Sequence, residues 1–250
     1  MLFLTFVVFS SPWIWTIFLA RPVLAVFIIL ITVIICLYSK GQITNKYFIC
    51  FLMFIFCYFQ YKYIVKESLT NLSNDQIRVR DMRLSEYPPV YFRIGSKTIW
   101  LPVAHWFEGR KESIVFSRIQ DNFFQNFDLN HYFFAGHPRE RVGILESEKF
   151  IYIFLPVFII GLIDFLNRKK YFLFLLTFGL PVFFYSLFGH RSLYGEFLFF
   201  PFISILISSG LKLLYQLVIK LGVKKQRIFL LLLIIIFIFV LIQIISYEIY

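Results

Sequence analysis

The sequence predicts an all-α integral membrane protein of about seven transmembrane helices, with one external segment, α+β or mostly helical, between the third and fourth. Three observations carry this. Of the 250 residues, 60% are hydrophobic, 22% aromatic and only 16% charged, too few polar groups to clothe a globule of this size in water. Apolar runs close to the ~20 residues that a helix needs to cross a bilayer recur from end to end. One long polar interval, residues 66–148, interrupts them.

The first run is Leu2 to Ala20, broken by Ser10, Ser11 and Pro12, and the second is Pro22 to Tyr38, with Arg21 alone between them. Residues 1–20 have no basic leader and a second apolar span follows at once, so an uncleaved helix is expected rather than a signal peptide. The third runs from about Tyr47 to Val65 and carries Gln60 and Lys62 near its outer end, where a lysine can snorkel to the interface. After the polar interval come Phe150 to Leu166, Tyr171 to Phe188, Leu198 to Ile219 and Ile228 to Ser246. The chain thus divides into three helices over 1–65, an extracytoplasmic segment over 66–148 and four helices over 149–250. Cys36, Cys50 and Cys57 all fall in apolar spans, where they act as small hydrophobes. Neither a disulfide framework nor metal-ligand spacing is present, and no cofactor is called for.

The net charge of +11 is placed rather than spread. Lys40 and Lys46 lie between spans two and three, Arg168, Lys169 and Lys170 between four and five, and Lys220, Lys224, Lys225 and Arg227 between six and seven. These are alternate loops. The bias of Lys and Arg toward cytoplasmic loops puts the amino terminus inside, with the carboxyl terminus and residues 66–148 outside the cell membrane. The long interval holds eleven basic and eleven acidic residues, so no basic excess remains there for nucleic acid. The cationic loops serve orientation and contact with anionic membrane lipid.

Within the external interval, Ile77 and Val79 hint at a short strand, and "VYFRIGSKTIWLP" reads as a small hairpin about Gly95-Ser96. From Lys111 the period changes. Val115, Phe116, Ile119, Phe123 and Phe127 recur at helical steps, giving an amphipathic helix that either lies in the membrane interface or packs on the hairpin. Asp128 or Asn130 is placed to cap the next turn, and Tyr132, Phe133 and Phe134 to anchor it at the interface.

Two clusters then stand out: "HYFFAGHPRER" at 131–141 and "GHRSLYGEF" at 189–197. The orientation puts both on one face of the membrane. His137, Arg139 and Arg141 could there meet His190 and Arg191. Arginine presents a planar fork suited to phosphate oxygens, so the functional reading is a site for a lipid-linked phosphate, with His137 or His190 as proton donor or phosphate contact. The structural reading, evenly weighted, pairs Arg139 and Arg141 with Glu140, Glu146 or Glu148.

The runs "DNFFQNFDLNHYFFAGHPRER", "EKFIYIFLPVFIIGLI" and "FGHRSLYGEFLFFPFISILISSGL" resemble the later part of bacterial polytopic glycosyltransferases of the GT-C type, similar to protein mannosyltransferases and aminoarabinose transferases. The likeness covers roughly residues 111–213. It implies a polyprenyl-phosphate sugar as donor and a donor-phosphate role for Arg139, Arg141 and Arg191. Those enzymes need an acidic residue in the first external loop, whereas here that loop is Ala20-Arg21-Pro22. Glu140, Asp128, Glu146 or Glu196 could stand in only with a rewired fold. The chain looks like the rear half of such an enzyme, either a degenerate stand-alone form or the partner of a separate front half in the membrane. Three classes therefore stay open: a lipid-linked glycosyl transferase or fragment of one, a non-catalytic accessory or assembly protein that binds a lipid phosphate, and, weakest because its spans carry few ionisable residues, a transporter component.

Overall fold

The structure, a computed structural model, describes residues 1–65, 74–86, 90–101, 111–134 and 149–248. Of the described residues, 78% are helical, with almost no sheet. In order, the elements are α1 (Leu2–Phe9), α2 (Pro12–Ala20), α3 (Pro22–Ser39), α4 (Lys46–Tyr63), α5 (Asn74–Glu86), β1 (Val90–Ile94), β2 (Lys97–Leu101), α6 (Lys111–Gln125), α7 (Asn130–Phe133), α8 (Phe154–Asn167), α9 (Tyr171–Phe188), α10 (Phe200–Lys220) and α11 (Val223–Glu248). A π-turn over Leu175–Gly179 interrupts α9.

Among the described residues, four helical stretches are long and apolar enough to cross a membrane: Pro22–Ser39, Tyr171–Phe188, Phe197–Lys220 and Lys225–Ile242. The pair α1 and α2, bent by 64° at Ser10-Ser11, makes a fifth if it is one broken span. The expected count of seven is not confirmed. Of the other two expected spans, α8 is 14 residues long, short of the ~20 that a perpendicular crossing needs, and α4, carrying Lys46, Gln60 and Lys62, is not among the qualifying helices. The bend follows from local chemistry: Pro12 sits in the first turn of α2, where its missing N–H costs nothing, and cannot continue the ladder of α1.

The described chain falls into two compact units. The first comprises Met1–Tyr63, Asp128–Pro181 and Ser192–Tyr250. Its core is aromatic and aliphatic, with Ile17, Ile28, Phe56, Phe133, Phe150, Phe154 and Phe200 fully buried. Its tightest crossing joins α8 to α10. A β-carbon on Gly161 would stand 1.9 Å from the Leu206 carbonyl oxygen, and one on Gly210 2.1 Å from that of Val157. Small residues let two backbones approach where lipid supplies no hydrophobic drive between helices. Helix α3 is held at both ends within this unit. At its start Arg21 Nε donates to Tyr194 Oη at 3.4 Å, and at its end the Ser39 carbonyl accepts from Lys170 Nζ. Eighteen residues at ~1.5 Å each give about 27 Å, near the ~30 Å of a hydrocarbon core.

The second unit comprises Ile64–Phe127 and Val182–Arg191. The expected hairpin is present, antiparallel, with Val90 opposite Leu101 and Ile94 opposite Lys97, and Gly95 takes the left-handed φ of +62° that its tight turn requires. The expected strand around Ile77 and Val79 is instead part of α5, since a two-residue alternation is too short to outweigh the helix-forming Arg, Met, Leu and Gln around it. The amphipathic helix stands as α6, with Phe116, Phe123 and Phe124 exposed along it.

Candidate functional site

The turn Ser192-Leu193-Tyr194-Gly195-Glu196 leads into α10 and gathers polar contacts from three directions in the first unit. From the end of α4, Gln60 Nε2 donates to Ser192 Oγ at 3.0 Å and to the Gly195 carbonyl at 3.2 Å, and the Leu193 N–H donates to the Tyr63 carbonyl at 3.2 Å. From α2, the Trp13 indole N–H donates to the Tyr194 carbonyl at 2.8 Å. From either side of residues 135–148 come His131 and Lys149.

These last two meet on Glu196, which is 1% exposed. His131 Nε2 lies 2.5 Å from its Oε1, and Lys149 Nζ pairs with its Oε2. The ammonium is also caged by rings, 5.2 Å from the Trp13 centroid and 5.1 Å from that of Tyr132. A carboxylate this buried is costly unless paired and hydrogen-bonded, and both its oxygens are engaged. Gly195 makes the approach feasible: its φ is +71°, and a β-carbon there would come within 3.2 Å of both Lys149 and Trp13. The backbone closes the same junction, since the Phe150 N–H donates to the Tyr132 carbonyl at 2.8 Å and Ser11 Oγ donates to the Lys149 carbonyl at 2.6 Å.

Tyr132 and Phe133 are not membrane anchors as expected. Both are buried, Tyr132 edge-on to Phe199 and Phe133 between Phe150 and Phe158, and only Phe134 is exposed. Three successive aromatics cannot all face lipid from one short helical turn. Burial first, then the charges of Glu196 and Asp128, push the Tyr132 phenol well above the ordinary tyrosine range. Neither Asp128 nor Asn130 is the N-cap, which is Leu129, but Asp128 Oδ1 accepts the Asn130 N–H at 3.0 Å just ahead of the turn.

Of the residues expected to bind phosphate, His137, Arg139 and Arg141 lie outside the described residues. His190 and Arg191 belong to the second unit. His190 is buried, stacked on Tyr185 at 5.3 Å, and its Nε2 donates to the Asn122 carbonyl at 2.8 Å, tying the end of α9 to α6. Arg191 is exposed, and its carbonyl accepts the Val65 N–H at 2.9 Å.

His131 and Lys149 were not among the candidates, and Glu196 figured only as a substitute base. One signal was legible: beyond Asp164 the only carboxylates are Glu196 and Glu248, and a lone acid at the mouth of an apolar helix needs a cation. Which cation answers it is a tertiary matter. The chain matches no protein-family model, no curated protein and no solved structure.

Proposed function

We propose that this membrane protein holds a polyprenyl-phosphate group, the donor end of a lipid-linked sugar, on its extracytoplasmic face. In this reading Arg139 and Arg141, together with His137, grip the phosphate. The observation that carries it is the double anchorage on Glu196. His131 on one side of residues 135–148 and Lys149 on the other bind the same carboxylate, so both ends of the arginine-bearing segment are held at one point of the first unit. Fixing the ends of a recognition segment lowers the ordering cost of binding. The polar turn at Tyr194 and the cationic end at Ser39 also stand at opposite ends of α3, which suits a protein with distinct outer and inner faces.

Glu196 serves here as a positioning residue rather than as the missing general base, because each of its oxygens already holds a cation or a ring nitrogen. That favours lipid-phosphate binding without transfer, by an accessory subunit of a GT-C-like system, over independent catalysis. Photo-crosslinking to a polyprenyl-phosphate probe tests the assignment. The double substitution Arg139→Gln, Arg141→Gln is expected to abolish labelling, and labelling equal to wild type rejects it.

A further inference from the structure

At the opposite end of α3, two loops form a second site that owes nothing to the polyprenyl-phosphate reading. A cavity of about 520 Å³ opens between the end of α3 and the start of α9, walled by Tyr38, Lys40, Lys169, Lys170, Tyr171 and Phe172. Among the described residues no carboxylate lines it. Lys46 adds a fourth cation, its ammonium 5.7 Å from the Phe172 ring centroid. The nearby acid, Asp164, is occupied by Arg168 at 2.8 Å and by the Ser209 hydroxyl at 2.8 Å.

The site is built rather than incidental. Lys170 reaches across to the Ser39 carbonyl, where the exposed carbonyls and dipole of a helix C-terminus favour a cation. Lys169 takes a left-handed φ of 53°, rare for a residue with a β-carbon, and so turns the chain from α8 into α9 with its side chain exposed at the mouth. Burial first, and then the neighbouring Arg168, lower the pKa of Lys170. Tyr38 and Phe172 pack edge to face at 6.0 Å and give the cavity an apolar wall.

We infer that this pocket binds the phosphate headgroup of an anionic phospholipid in the leaflet that faces it. The lipid is favoured over free phosphate for two reasons. The cavity far exceeds one phosphate ion, and it opens where two membrane-length helices end, the level at which headgroups lie and aromatic rings are favoured.

Native mass spectrometry of the full chain released from phosphatidylcholine nanodiscs doped with phosphatidylglycerol tests this. Retained phosphatidylglycerol is expected for wild type, and the double substitution Lys40→Gln, Lys169→Gln should weaken retention about thirtyfold, at ~1 kcal/mol per lysine. A matched control, Lys220→Gln with Lys225→Gln, should retain it. Unchanged melting of both variants in pure phosphatidylcholine confirms that each is folded. Equal loss in the control, no loss in the pocket variant, or full displacement of the lipid by inorganic phosphate would each overturn the assignment.

Discussion

Glu196 decides the chemistry of the first unit at the scale of single residues. A carboxylate that is 1% exposed survives there because Lys149 and His131 share it, so removing one partner should cost far more than a surface pair would. Lys149→Met alone is expected to destabilise the protein by ~3–5 kcal/mol, and adding Glu196→Leu should restore much of that loss. Thermal unfolding in detergent reads the difference; a double variant no more stable than the single would refute the pairing. Tyr132 offers a pH handle on the same junction. Its phenol is held neutral, so the stability it lends is whole below the ordinary value of about 10 and drains away as pH rises above it. Tyr132→Phe should flatten that alkaline decline, measured as melting temperature against pH, and an identical slope would count against it.

The elements were legible to differing degrees. Hairpin, amphipathic helix and apolar spans could be read because each is a local pattern: a period of two about a glycine turn, a period of three to four, or an unbroken apolar run. The strand expected at Ile77 was misread because two alternating residues carry too little signal. Span four is not confirmed for a different reason: Phe150 belongs to the apolar run but lies in the turn that bonds to Tyr132, leaving α8 only 14 residues. The α8–α10 crossing makes the sharpest prediction at this scale. A β-carbon on Gly161 or Gly210 meets backbone oxygen, which cannot rotate away, so Gly161→Ala and Gly210→Ala should each cost ~1–3 kcal/mol or more. Gly41→Ala, where nothing lies within 4 Å but φ is +76°, should cost ~1–2 kcal/mol through backbone strain alone. Melting temperatures order the three, and a milder effect at the crossing than at Gly41 would contradict the packing.

For the whole molecule, the open matter is sidedness. Alternate cationic loops predict that Trp100 and Leu193 face one compartment while the loops at Gly41 and Lys170 face the other. Alkaline phosphatase fusions at these positions check it: activity is expected at the first two and none at the second two, and a split between Trp100 and Leu193 would dissolve the outer site. The sequence by itself determined that the chain carries several apolar helices suited to a bilayer, roughly where those runs lie, and that polar residues collect around 131–141 and 189–197, because hydropathy, period and charge are properties of neighbours along the chain. Only the tertiary structure decided that Glu196 is the point where His131 and Lys149 converge, that Tyr132 turns inward, and that three lysines from two connecting loops line one cavity. Those residues are separated by tens of positions, and their meeting depends on how helices cross, a distance that no local pattern encodes.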